Sequence, residues 1–307
     1  MVSEQKELLI ILGPTCTGKS STAIAAAKVF GGEIINCDSM QVYKGFDIGT
    51  DKILPERRKN IPHHLLDIID PSQQFTAADF VRLALEACTA ILANQRLPII
   101  TGGTGLYLKA LVEGLFPEGK SDPRIREALE TEADNQGLEH LAEELKAVDP
   151  HYLAKIGGRD RIRIIRALEV FRSTGKPMSE HFARTRSHVQ DFHLLRIGLK
   201  LERAALYKKI EDRVDRMFAR GLVEEVASLL EAGIREDAPP FKALGYKHVL
   251  MVLKNELPLA EAIEMTKQDT RHYAKRQMTW FRKMKDIHWF DPNDFNTIQK
   301  FIARRLN

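Results

Sequence analysis

Residues 8–20 read Leu8-Leu9-Ile10-Ile11-Leu12-Gly13-Pro14-Thr15-Cys16-Thr17-Gly18-Lys19-Ser20. Five apolar residues, long enough for a buried strand, run into a G-x-x-x-x-G-K-[ST] loop, and Ser21 to Val29 behind it reads as a helix. In such a loop the glycines let backbone N–H groups turn inward around a polyphosphate, and the following helix N-terminus adds partial positive charge. Lys19 reaches the terminal phosphates, and the Ser20 hydroxyl is placed to hold Mg²⁺. Loops of this type belong to ATP- and other nucleotide-binding proteins. The loop by itself does not say whether phosphate is transferred, hydrolysed or lost as a leaving group.

Three further apolar, β-rich stretches stand out: Glu33–Cys37, Leu97–Thr101 and Leu194–Leu201. A helical pattern over Thr76–Asn94 sets Phe80, Ala84, Ala87 and Ile91 on one side, and strands alternating with helices predict a mainly parallel sheet. The first three strands end in Gly13 onward, in Asp38-Ser39 and in Gly102-Gly103-Thr104-Gly105. Loops at the carboxyl ends of parallel strands converge on one ligand site. From about Gly114 to Asp191 strand signals vanish, and four helices are predicted: Asp122–Gln136, Leu138–Lys146, Asp149–Ile156 and Arg161–Ser173, with Asp122 and Asp149 as N-caps ahead of Pro123 and Pro150. After Leu201 the pattern is helical to the end, over Tyr207–Arg220, Leu222–Ala232 and Leu259–Arg282. The expected fold is therefore α/β, a P-loop parallel-sheet core with a helical insertion. Its divisions are 1–114, 115–191 and 192–307.

The 307 residues are 44% hydrophobic and 29% charged, which describes an ordinary globular chain. Net charge is only +4, but it is unevenly spread. Lys267 to Lys285 holds seven Lys or Arg against Asp269, and Lys155 to Lys176 holds seven against Asp160 and Glu169. Two basic blocks on a nearly neutral chain point to a polyanion larger than a nucleotide, with solvated helix faces as the alternative. Cys16, Cys37 and Cys88 form no C-x-x-C pair, which argues against a disulfide framework and for a reducing, cytoplasmic compartment. No apolar run approaches a membrane span, and none is the length of a signal sequence.

Asp38, just past a strand and beside the loop, reads three ways: Mg²⁺ ligand, general base or helix cap. The third strand ends Thr101-Gly102-Gly103-Thr104, without the acid that ATP-hydrolysing P-loop enzymes carry there. That suits an enzyme that holds a diphosphate while something else departs from it. His63-His64 has only Asp67 at ligand spacing and reads as structural or loop-shaping. Trp280, Phe281, Trp289 and Phe290 read as residues that pin the last helix, and Met217 and Phe218 as core.

The ordered motifs G-P-T-C-T-G-K-S, I-I-N-C-D-S-M-Q-V-Y, D-I-G-T (47–50), P-H-H-L-L-D-I (62–68), G-G-T-G-L-Y (102–107), R-A-L-E-V (166–170), G-Y-K (245–247) and Y-A-K-R-Q-M-T-W-F-R (273–282) span nearly the whole chain. Together they resemble the bacterial tRNA dimethylallyltransferase (tRNA isopentenyltransferase) family. The resemblance implies transfer of the dimethylallyl group from dimethylallyl diphosphate to the exocyclic amine of the adenine immediately 3′ of the anticodon. It implies that Asp38 is the base, that Thr104 sits between the substrates and that Arg213 neutralises the leaving group. Gly13, Thr15, Thr17, Gly18, Lys19 and Ser20 would hold the diphosphate, with Mg²⁺ on Ser20. The tRNA anticodon loop would meet Asp38, Ser39, Met40, Gln41, Thr104, Arg126, Arg163, Arg166, Lys275 and Arg276. Eukaryotic relatives carry a C-terminal zinc finger; this chain lacks its cysteines, so no structural zinc is expected. The rival readings are a small-metabolite kinase, a non-catalytic RNA-binding module, and prenyl transfer to free adenine nucleotides.

Overall fold

A chain segment apolar at every position cannot expose either face of a sheet, and Leu8 to Leu12 are fully buried in β1 (Lys6–Leu12). A computed structural model of the chain describes residues 6–115 and 122–306. Residues 116–121, just past the expected boundary at 114/115, lie outside it. After β1 come α1 (Lys19–Phe30), β2 (Gly32–Cys37), β3 (His63–His64), α2 (Ala77–Ala93), β4 (Leu97–Gly102) and α3 (Gly105–Glu113). The helical stretch holds α4 (Pro123–Gln136), α5 (Leu138–Val148), α6 (Pro150–Ile156), α7 (Arg161–Thr174) and α8 (Met178–Arg184). The remainder is β5 (Phe192–Leu199), α9 (Arg203–Ala219), α10 (Leu222–Glu231), α11 (Tyr246–Leu253), α12 (Leu259–Phe281), β6 (Ile287–Phe290) and α13 (Phe295–Ala303).

The strands pair in parallel in the order β3-β2-β4-β1-β5-β6. Leu9 and Ile11 of β1 share a core with Ala23 and Ala27 of α1 and with Ile298 and Ile302 of α13, so the chain's two ends close one face of the sheet. On β2 and β4 packs α2, whose Thr76 and Asp79 form a reciprocal capping box at its start. A second cluster joins Val42, Tyr43 and Phe46, from the loop after β2, to Met217 of α9, Leu222 and Val226 of α10 and Tyr246 of α11.

The chain divides into two compact units. One comprises the residues up to Ala110 and from Val189; the other is Leu111–His188. The second has a core of its own, built from Leu129, Leu141, Leu145, Ile164 and Leu168 on α4, α5 and α7. Asp149 caps α6 through Tyr152 N–H and also accepts from Ser179 N–H at 2.8 Å, so α8 is fastened to it.

The sequence expectations meet the structure in different ways. His63-His64 has a structural place as edge strand β3, paired with Ile34 and Ile35, and His64 meets Glu33 at 2.8 Å. The segment after Leu201 is not helical throughout: Trp289 and Phe290 belong to β6, an edge strand on β5, because Gly198 leaves room for Trp289 beside it. The Phe290 ring still fastens the C-terminal helix, packing on Phe301 at 5.2 Å between centroids. Helices α3 and α8 lie outside the helices expected from the sequence, being too short for a clear helical period, while α11 and α13 fall within the stretch expected to be helical after Leu201. Among the described residues, no helix is long and apolar enough to cross a membrane.

Candidate active site

The loops after β1, β2 and β4 meet around one cavity of about 620 Å³. Its floor is the phosphate loop, where Gly18 ends the loop in a left-handed conformation (φ 82°) and no side chain caps α1. The first-turn N–H groups of α1 are thus left for an anion. Cys16 is also left-handed, at φ 64°, a conformation uncommon for a residue with a Cβ. Gly13 and Thr17 lie beneath the loop rather than on the cavity wall: Thr17 is buried and its hydroxyl donates to Pro14 O at 2.8 Å. Thr15, Lys19 and the exposed Ser20 line the cavity.

Lys19 Nζ donates to Pro14 O at 2.8 Å. Although the residue as a whole is only half-buried, loss of water around its ammonium pushes the pKa down to about 8. Cys16 and Asp38 work against that shift and the positive charge of Arg213 adds to it. A lysine so poorly solvated gains more from a bound anion than one in water.

No helix follows Asp38, so the helix-cap reading falls. One oxygen, Oδ1, accepts from Met40 N–H at 2.9 Å and closes a tight turn. Its Oδ2 takes no hydrogen bond from a described residue, and Asp38 lines the cavity with Ser39, Met40 and Gln41. Thr104 supports this turn: its hydroxyl accepts from Ser39 N–H at 3.1 Å, and Thr104 is not on the cavity wall. Gln41 Nε2 donates to Thr50 O at 3.0 Å and so ties the turn to the D-I-G-T loop.

That loop is clamped from α10 and α11. Glu225 Oε2 accepts from Asp47 and Ile48 N–H, its Oε1 accepts from the Tyr246 hydroxyl, and Gly49 N–H donates to that hydroxyl at 3.2 Å. A Cβ on Gly49 would lie 2.3 Å from the Tyr246 ring, so only glycine fits. Lys52 is buried between Asp47, Asp67 and Tyr43 O. The clamped loop presents Asp51, whose Oδ2 lies 3.5 Å from Arg213 Nη1 on α9. Arg213 lines the cavity, and its Nε is buried with no hydrogen-bond partner among the described residues.

From the C-terminal basic block, Arg276 reaches the cavity while Lys275 is exposed on α12 away from its wall. The three insertion arginines lie in the other unit. Arg126 meets Glu130 at 3.0 Å, Arg163 meets Asp160 at 3.4 Å, and Arg166 meets the buried Glu169 at 3.0 Å. Sequence reasoning missed Tyr273, Arg57, Arg220 and Lys242, which also line the cavity, and Gln277. Tyr273, Arg276, Gln277 and Trp280 fall at the i, i+3, i+4, i+7 spacing of one helix face, and this was the available signal.

A suitable Mg²⁺ site would need few protein ligands, because Mg²⁺ keeps water and takes oxygens from a substrate phosphate. Among the described residues no cluster of three or more His, Cys, Asp or Glu stands ready for a metal. The exposed Ser20 hydroxyl and the buried, unpartnered Thr101 Oγ1 both line the cavity, and that sparse oxygen set fits a cation carried largely by a diphosphate.

The family model described as IPP transferase matches residues 41–284. The chain belongs to the IPP transferase family. A tRNA dimethylallyltransferase from Geobacter sulfurreducens is 47% identical over 299 residues, covering 97% of this chain and 96% of that protein. The crystal structure of the full-length tRNA isopentenylpyrophosphate transferase from Bacillus halodurans is 40% identical, with a TM-score of 0.73, over 98% of this chain and 97% of that one. A eukaryotic dimethylallyltransferase captured acting on tRNA is 30% identical, with a TM-score of 0.83, over 98% of this chain and 80% of its own. Both alignments run over 98% of this IPP transferase chain and so take in residues of both compact units.

Proposed function

We propose that the protein is a tRNA dimethylallyltransferase. It moves the dimethylallyl group from dimethylallyl diphosphate to the exocyclic amine of the adenine immediately 3′ of the anticodon, and releases diphosphate. One observation carries this reading: a carboxylate with an uncommitted oxygen shares a cavity with a desolvated lysine and an arginine whose Nε is unpaired. The cations suit a departing diphosphate and the carboxylate suits the proton of an incoming amine.

The chemistry assigns the roles. An aryl amine is a weak nucleophile, whereas an allylic carbon–oxygen bond breaks readily once the charge on the departing oxygen is stabilised. Lys19, Arg213 and the α1 N-terminus provide that stabilisation. Asp38 Oδ2 takes the proton that the amine loses as the C–N bond forms. Thr104 and Met40 N–H hold the turn that aims it. Mg²⁺, held by Ser20 and the diphosphate, would add further positive charge on the leaving group.

The target base is stacked in an RNA loop and must be extruded to reach the cavity. Ser39, Met40, Gln41 and Arg276 are its candidate neighbours there, and Arg126, Arg163, Arg166 and Lys275 are candidate backbone contacts. Reduced cysteines and a tRNA substrate support a cytoplasmic location. The test is incubation with unmodified tRNA and dimethylallyl diphosphate, followed by mass analysis of the nucleosides. A gain of one dimethylallyl group on adenosine is expected. Consumption of ATP with a nucleoside monophosphate, and no change in the tRNA, would replace this reading with that of a kinase.

A further inference from the structure

Gln277 is among the few buried polar residues of α12, and its amide bridges two loops far away in sequence. Thr15 N–H donates to its Oε1 at 2.8 Å, and its Nε2 donates to Gly103 O at 2.9 Å. The first bond fixes the phosphate loop at its turn, one residue before the left-handed Cys16. The second holds the loop after β4, where a Cβ on Gly103 would lie 2.2 Å from Nε2, so glycine is required for the amide to fit. Tyr273, one turn back on the same face, and the adjacent Arg276 line the cavity. Lys19 Nζ lies 3.9 Å from that same Gly103 Cβ position, so the bridge stands beside the charged end of the lysine.

We propose that Gln277 is a positioning residue for the diphosphate, acting through the phosphate-loop backbone; this rests on the reading above. The loop's remaining N–H groups grip an anion only if they point the same way, and Oε1 sets the turn from which they start. By taking Thr15 N–H, Gln277 also keeps that donor from competing for the ligand from the wrong side. The sheet supplies no equivalent restraint, because β1 ends at Leu12.

The decisive variant is Gln277→Met, which keeps the side chain's length and neutrality but removes both hydrogen bonds. Inorganic diphosphate with Mg²⁺ is titrated into the full chain by calorimetry, well below the melting temperature, beside tRNA binding and steady-state kinetics. The Kd for diphosphate and the KM for dimethylallyl diphosphate should each rise about ten-fold or more, because orientation is lost. The tRNA Kd should stay within about two-fold, and the kinetic loss should lie mainly in KM. A residue that only stabilised the fold would lower the melting temperature and leave diphosphate affinity unchanged, and that result overturns the proposal. Equal losses for both ligands overturn it as well.

Should the Met variant fail to fold, Gln277→Asn keeps the amide but is one methylene too short to bridge. The same selective loss is expected, and wild-type affinity for diphosphate would refute the role. Wild-type protein that binds diphosphate yet never prenylates tRNA would refute the proposed function, while the binding comparison would still decide Gln277.

Discussion

At Asp38 and Lys19 the site's chemistry reduces to two atoms, a free carboxylate oxygen and a poorly hydrated ammonium. Asparagine at position 38 can still accept from Met40 N–H through its carbonyl oxygen, so the turn should survive in Asp38→Asn. It cannot take a proton, and a positioned base is typically worth about 10²- to 10⁴-fold in rate. Prenyl transfer should therefore fall by that factor while melting and tRNA binding stay near wild type, as rapid-quench kinetics and calorimetry would show. Lys19 sets a pH dependence. Its pKa in the folded protein is lowered to about 8, below the usual lysine value, so the free enzyme loses this positive charge as pH rises through 8. The Lys19 contribution to diphosphate affinity should be flat below that pH and then weaken by up to about ten-fold per unit. Arginine does not titrate in this range, so Lys19→Arg, though weaker overall, should remove this contribution and leave only the titration of diphosphate itself. Titrations from pH 6.5 to 9.5 measure both.

Among the elements, the D-I-G-T loop is the one whose position depends most on distant support. Gly49→Ala must push the loop off the Tyr246 ring, and Asp51 and Gln41 move with it. A large fall in kcat/KM for dimethylallyl diphosphate is expected, with the fold retained by circular dichroism. For the basic helices, geometry separates the arginines. Arg163 and Lys275 are exposed, so Arg163→Glu with Lys275→Glu should weaken tRNA binding and reduce the log–log salt slope by roughly one unit for each phosphate no longer neutralised. Arg166 makes a poor probe, because its partner Glu169 is buried and also accepts from Asp122 N–H. The sequence made the strand–loop–helix of the phosphate site legible because Leu8 to Ser20 encode it locally. It also made Asp38 visible, since that residue directly follows a buried strand. Gln277 and Tyr273 escaped notice because what they meet lies far back in the chain: the i, i+3, i+4, i+7 spacing on α12 defines a face, but only those distant loops make it the face at the cavity. The edge strands β3 and β6 escaped because two or four residues show no period, and their pairing depends on strands far away.

At the scale of the whole molecule, each of the two compact units has hydrophobic packing of its own. Leu168 is fully buried in the core of the insertion, so Leu168→Ala should cost about 2–5 kcal/mol there. Diphosphate binding, which belongs to the other unit, should be retained, and thermal denaturation with and without diphosphate distinguishes the two responses. The same division carries a consequence for synthesis. β1 pairs with β5 as well as β4, and Gln277 reaches back to Thr15, so β1 and the phosphate loop wait for partners up to 262 residues further along the chain. The insertion, in contrast, is one continuous stretch with its own core, and it can fold as soon as it leaves the ribosome. A nascent chain halted before Gln277 thus carries an insertion unit complete in sequence and a sheet that still lacks β6, which leaves β5 as an open strand edge. It is in that interval of translation that this enzyme has most need of a chaperone.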